Sequence, residues 1–204
     1  MPRPDKREPI LQAAEKLFSF RRFHEITLDD VAREAQVGKG TIYRYFKDKD
    51  DLFFQVAASG FSEMCALLER QVAEDSPFEE QLVQACAAIS AFFARRRQFL
   101  RMFQAEDARM SLSPGRLRER WTEKRRLLVE SLAGILERGR CQNLVRTDVP
   151  ASALAELLLG LLRARARNLA EKGPALGDAV IVDLFLRGAC LSHAEQASFE
   201  QGKI

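Results

Sequence analysis

Histidine is almost missing from this chain of 204 residues: there are two, His24 and His193, far apart and without a second ligand at metal spacing near either. That removes the commonest metal ligand and general base together. There is no glycine-rich phosphate loop, because Gly38 and Gly40 open a helix and not a nucleotide fold. No nucleophile, base and acid assemble into a set. The acid pairs Asp29 and Asp30, and Asp50 and Asp51, sit in first helical turns, where carboxylates serve the helix dipole. These absences read as a protein that is not an enzyme and holds no cofactor and no metal.

Cysteine is scarce as well. Cys65, Cys86, Cys141 and Cys190 are widely spaced, form no C-x-x-C pair and fall within apolar helical patterns, which suits buried thiols in a reducing cytoplasm, with a redox or electrophile sensor as the other reading. No uninterrupted apolar run approaches about 18 residues, and the charged start MPRPDKREP lacks an apolar core, so neither a membrane span nor a signal peptide is expected. The net charge of +3 is too small for a nucleic-acid coat, and basic character must be local to matter.

What is present is helix, punctuated by clear caps. Helix one is expected over about Lys6 to Phe20, with Ile10, Leu11, Ala14, Leu17 and Phe18 as a floor under the next two helices. Asp48 caps a long fourth helix running to about Ala73. Ser76, Pro77 and Glu79 start a fifth to about Arg95, a shorter sixth covers about Gln98 to Asp107, and Ser113 with Pro114 start a seventh to about Gly139. Pro150 opens an eighth, closed by Gly173 and Pro174, and Asp178 starts a ninth that runs to about Glu195. No strand of consequence is expected, although LVRTD can form a short extended connection. The fold class is therefore all-α.

The segment TLDDVAREAQVGKGTIYRYFKDK, Thr27 to Lys49, reads as two short helices joined by a tight turn. Thr27 and Asp30 have the spacing of a capping box, and Leu28, Val31, Ala32 and Ala35 form an apolar stripe. Gln36, Val37 and Gly38 break the period, with Val37 plugging the angle. In the second helix Ile42 and Phe46 turn inward, which leaves Lys39, Gly40, Thr41, Tyr43, Arg44 and Tyr45 outside. Exposed tyrosines suit phosphate contacts, where the phenol donates a hydrogen bond and the ring packs on sugar. Gly40 permits close approach to a groove, and Thr41 offers a hydroxyl and a methyl to base edges. Lys39, Arg44, Lys47 and Lys49 against Asp48 alone give a local net of +3, equal to that of the entire chain.

Together with the following Asp50 to Phe53, this segment resembles the helix-turn-helix signature of the TetR family of bacterial transcriptional regulators, over roughly the first fifty-five residues. The resemblance implies a nine-helix fold. Its parts are an N-terminal three-helix DNA-binding domain over residues 1–48 and a C-terminal helical effector-binding and dimerisation domain over residues 49–204. It implies that Thr27, Tyr43, Tyr45 and Lys49 bind phosphates, while Lys39, Gly40, Thr41 and Arg44 lie nearest the bases. There are three departures from the family pattern: Gln36 where Gly is usual in the turn, Gly38 where a small polar cap such as Ser is usual, and the pair Phe23 and His24 where a Gly precedes the motif. Gln36 is expected to adopt a left-handed conformation at some cost.

The C-terminal helices carry surplus apolar surface of two kinds. On helices eight and nine, Leu154, Leu157, Leu158, Leu161 and Leu162 accompany Val180, Val182, Leu184, Phe185 and Leu186, more than one core usually consumes. The resemblance implies a homodimer through these helices, with Leu154, Leu158, Leu161, Val182, Phe185 and Leu186 as interface candidates; packing inside a monomer is the alternative. The other surplus is aromatic and soft. Phe61, Cys65, Cys86, Phe92, Phe93, Phe99, Met102, Phe103 and Trp121, with Arg125 and Arg163 as polar candidates, mark either plain core or a pocket for a small hydrophobic or amphipathic effector. Gln104, Glu106 and Arg167 are further polar candidates.

The expected function is a dimeric, sequence-specific DNA-binding transcriptional regulator. The leading form is a repressor released from a palindromic operator on double-stranded DNA by that effector. The alternative is a DNA-binding regulator without a small-molecule effector, controlled by a protein partner or by abundance. A helical enzyme or carrier with an incidental helix-turn-helix is the third reading.

Overall fold

In a computed structural model the structure describes residues 5–112, 116–170 and 177–189, with 105–112, 116–117, 168–170 and 189 described as backbone only. Among these residues there are nine α-helices and no strand: α1 Arg7–Phe20, α2 Leu28–Glu34, α3 Lys39–Tyr45, α4 Lys49–Gln71, α5 Phe78–Arg95, α6 Arg97–Leu112, α7 Arg116–Cys141, α8 Ala151–Ala170 and α9 Asp178–Ala189. The all-α expectation holds. Helix α6 runs past the expected end at Asp107 to Leu112. The expected caps Ser113 and Pro114, the stop at Gly173 and Pro174, and the ninth helix's expected end at Glu195 lie outside the described residues, as do His193 and Cys190.

The chain divides into two compact units, one formed by Met1–Glu63 with Arg95–Arg125 and the other by Met64–Ala94 with Arg126–Ile204. The first two-thirds of α4, all of α6 and the first turns of α7 cluster with the helix-turn-helix, because α1 packs on α6 as well as on α2.

The first unit is built on aromatic rings. Phe53 meets Phe18 edge-on at 5.1 Å and Phe23 at 5.3 Å, and its other side stacks on Trp121 at 5.9 Å. Trp121 continues the chain to Phe61 and Phe103, each at 5.5 Å, and Phe103 stacks on Phe99. Edge-to-face and offset contacts at these separations add to what area burial alone gives. Phe23, which stands where the family pattern has glycine, is thus held by the rings of Phe18 and Phe53 and by the Lys49 ammonium, 4.4 Å from its centroid. A partly exposed ion cluster closes the unit at the start of α6, where Arg96 pairs with the buried Glu15 of α1 and, at 2.9 Å, with Glu63 of α4, and Arg95 pairs with Glu63 as well.

The second unit buries a glutamine. Gln81 is 1% exposed; its amide donates to the carbonyls of Glu74 and Ser76 and its oxygen accepts from Arg138, so one side chain ties the α4–α5 turn to α7. All its hydrogen-bonding groups find partners, which is the condition for burying them. Asn143, at φ 56°, ends α7 in a left-handed turn in which Leu144 N bonds back to Gly139 O. This is the six-to-one closure that caps helices.

The interface and pocket candidates differ in exposure. Of the interface candidates, Leu154, Leu158, Val182 and Phe185 are buried within the single chain, and Leu186 is half-buried. The apolar residues left outside are Leu157, at 61%, and Leu161 on α8, with Val180 and Leu184 on α9, each pair one turn apart. Both helices are apolar on more than one face, so periodicity could not say which face the chain would consume. The effector-pocket candidates are likewise divided. Phe61, Phe99, Met102 and Phe103, with Trp121 and the half-buried Arg125, belong to the first unit; buried Cys86, Phe92 and Phe93 and half-buried Cys65 belong to the second, where Arg163 donates to the carbonyl of Leu159 on its own helix. Gln104 and Arg167 are exposed, and the side chain of Glu106 lies outside the described residues.

Candidate nucleic-acid interface

The element that presents α3 is set by local chemistry. Thr27 caps α2: its hydroxyl oxygen accepts from Asp30 N at 3.1 Å, and Asp30 Oδ2 in return accepts from Thr27 N at 3.0 Å. The reciprocal bonds satisfy two amides that a helix start leaves orphaned. The Thr27 amide, above all, then the Thr27 hydroxyl and the nearby guanidiniums of Arg21 and Arg33, hold the Asp30 carboxyl below its ordinary value.

The turn between the helices is a left-handed cap. Gln36 has φ 54°, Val37 N bonds to Ala32 O at 2.9 Å and Gln36 N to Arg33 O at 3.2 Å. This paired closure is what a glycine at that position usually permits; here Gln36 adopts the strained conformation and the two bonds hold it there. Gly38 then stands extended as the start of α3, with no side-chain cap.

On α3, Ile42 and, just past the helix, Phe46 are buried, which fixes the opposite face outward. Lys39, Gly40, Tyr43 and Arg44 are exposed, with Tyr43 at 52%, and Thr41 and Tyr45 are half-buried. Among the described residues, nothing beyond its chain neighbours and its own helix backbone lies within 4 Å of where a Cβ on Gly40 would be. The Arg44 guanidinium rests 5.2 Å from the Tyr45 ring centroid, and the Tyr45 hydroxyl accepts from Lys6 N at 3.3 Å, so the N-terminal end of α1 helps to hold that ring. Tyr43 keeps a rigid phenol in solvent, an arrangement that plain surface chemistry does not ask for.

Three candidate residues have internal partners; that of Thr27 was expected from its spacing, and those of Lys49 and Lys39 were not. Lys49 Nζ donates to the carbonyls of Phe23 and Ile26, both at 2.8 Å, and so pins the 3-10 turn before α2. The Thr27 hydroxyl donates to Asp30 at 2.8 Å. Lys39 Nζ lies 2.7 Å from Asp29 Oδ2, and this bond raises the lysine's pKa above its ordinary value. No sequence period relates positions 29 and 39, so only the folded turn shows the pair.

Residues 10–56 match the sequence model of a family described as bacterial regulatory proteins, tetR family. The chain is 35% identical over 100 residues to the uncharacterized HTH-type transcriptional regulator YhgD of Bacillus subtilis, covering 49% of this chain and 52% of that protein. It spans about half or less of the length of the first curated relatives it matches. Over most of its length the fold matches that of the fatty acid degradation regulator FadR from Bacillus halodurans, with a TM-score of 0.75, 19% identity and coverage of 92% and 95% of the two chains. It also matches FadR from Bacillus subtilis in complex with stearoyl-CoA, with a TM-score of 0.73, 19% identity and coverage of 88% and 95%. At such identities the structural likeness speaks for the fold.

Proposed function

We propose that this chain, whose residues 10–56 match the sequence model of the tetR family of bacterial regulatory proteins, is a dimeric transcriptional repressor released from a palindromic operator by a small hydrophobic effector. The observation that carries the DNA-binding part is the outer face of α3. Gly40 leaves room that the protein's own packing does not use, beside exposed Lys39, Tyr43 and Arg44. Such a helix can lie deep in a major groove, with Thr41 and Lys39 at base edges and Tyr43 and Tyr45 on phosphates. Two of the three Lys49 ammonium donors hold the turn, and the third is assigned to phosphate. Thr27 acts through the cap that orients α2.

Dimerisation is supported by Leu157, Leu161, Val180 and Leu184, apolar side chains that α8 and α9 leave in solvent. Two linked recognition helices bind far more tightly than one and read a two-fold site. The effector reading draws on the soft aromatic residues of α4 to α7 and on the stearoyl-CoA bound by Bacillus subtilis FadR, which shares this fold. The second reading, a regulator without a small-molecule effector, draws on the ring-to-ring packing of Phe61, Phe99, Phe103 and Trp121.

Selection from a random duplex pool at moderate salt tests the reading. It predicts enrichment of an inverted repeat, a gel shift on it, and release by long-chain acyl-CoA or fatty acid. Failure to enrich any sequence overturns the DNA-binding reading. Enrichment without release by any amphipathic ligand favours the second reading.

A further inference from the structure

Two acids open α2, and only Asp30 takes part in its cap. Asp29 turns to the recognition helix, its Oδ2 2.7 Å from Lys39 Nζ, and both side chains stand about half or more in solvent. Exposed pairs of this kind add little to stability, and the dipole of α2, which favours an acid in its first turn, does not ask for a partner on α3.

A groove face gives the acid a role. Near phosphates a carboxylate is repelled, unless a base amino group donates to it. Across the major-groove edge, guanine O6 and cytosine N4 present an acceptor beside a donor, and guanine N7 adds a second acceptor on the O6 side. An ammonium and a carboxylate held 2.7 Å apart match those neighbours, with Lys39 donating to O6 and N7 and Asp29 accepting from N4. A T·A pair offers the same central acceptor and donor but replaces N7 by a methyl group, which Lys39 cannot use. The reversed pairs, C·G and A·T, set a donor against the ammonium and an acceptor against the carboxylate, and are rejected by both.

Resting on the DNA-binding reading above, we propose that Asp29 is a specificity-determining residue: with Lys39 it reads the orientation of one G·C base pair at each recognition helix. Its contribution is rejection of wrong pairs and not affinity, since its charge opposes the DNA backbone.

The test compares selection from random duplexes by the full-length wild type, Asp29→Asn, Asp29→Ala and Lys39→Gln, each with a thermal melt to verify folding. The wild type should show one G·C position per half-site at which the reversed pair binds at least about tenfold more weakly. In both Asp29 variants that preference should fall to within about threefold, while affinity for unrelated duplex rises, and Lys39→Gln should relax the same position. An enriched site whose base preferences are unchanged in the Asp29 variants overturns the inference and leaves the DNA-binding reading standing. A wild type that enriches nothing overturns both.

Discussion

The ring of Phe99 occupies the space where a side chain on Gly60 would begin: a Cβ there would fall 2.1 Å from the ring. Gly60 lies in the middle of α4, where glycine weakens a helix by roughly 0.5–1 kcal/mol relative to alanine, and the contact lets α6 sit close. Gly60→Ala should therefore destabilise the protein despite its better helix propensity, by about 1–3 kcal/mol from overpacking. Urea unfolding measures it, and an equal or higher midpoint contradicts the packing argument. Gly40→Ala is the control, since it meets nothing within 4 Å and should keep or slightly raise stability while weakening operator binding.

Removing the cap of α2 has an effect that depends on pH. Thr27→Ala should cost about 1 kcal/mol at neutral pH. Asp30 is held below its ordinary carboxyl value first by the Thr27 amide, which the substitution keeps, and then by the Thr27 hydroxyl, which it removes; the hydroxyl's share is complete above that value and is lost as pH falls through the lowered one. The difference between wild type and Thr27→Ala in thermal melts should narrow in strong acid and stay constant from pH 6 to 8.

Cys86 carries the opposite sign. Burial first, then the Asp178 carboxylate, push its thiol up to about 12, against the opposing effect of Arg165. The neutral thiol is what the fold favours, so stability from this site is complete below the ordinary thiol range and falls as pH climbs toward 12. Under native conditions a thiol reagent should label exposed Cys141 rapidly, and Cys141→Ser should remove that fast phase. Rapid labelling of Cys86 in the folded protein contradicts the assignment.

The apolar face on α8 and α9 predicts oligomeric state. Leu157→Glu with Leu184→Glu should yield a folded monomer by sedimentation, because both side chains stand in solvent within one chain and neither fills its core. Leu158→Glu, at a fully buried position, should instead unfold the protein. A double variant that sediments like the wild type contradicts dimerisation through this face.

The helix-turn-helix was legible because its determinants are local. The Thr27 and Asp30 spacing, the break at Gln36 and the inward pair Ile42 and Phe46 all lie within one or two helical turns. Even the strained φ of Gln36 follows from the turn that the pattern requires. What stayed hidden joins positions without a shared period. Lys39 meets Asp29 ten residues away, Arg165 meets Asp178 thirteen away, and Arg96 meets Glu15 eighty-one away. The resemblance implies a phosphate contact for Lys49, and nothing in the sequence shows that its ammonium also holds two carbonyls at the entrance to α2. On α8 and α9, apolar residues on several faces concealed which leucines the chain keeps for itself.

The central claim is that the outer face of α3 binds DNA, and salt-dependent titration of the selected duplex against an unrelated one tests it most directly. Tyr43→Ala should weaken binding to both duplexes alike, as the loss of a phosphate contact requires, whereas Thr41→Ala should lower only the preference for the selected site. If both variants bind both duplexes as the wild type does, α3 is not the DNA-binding surface.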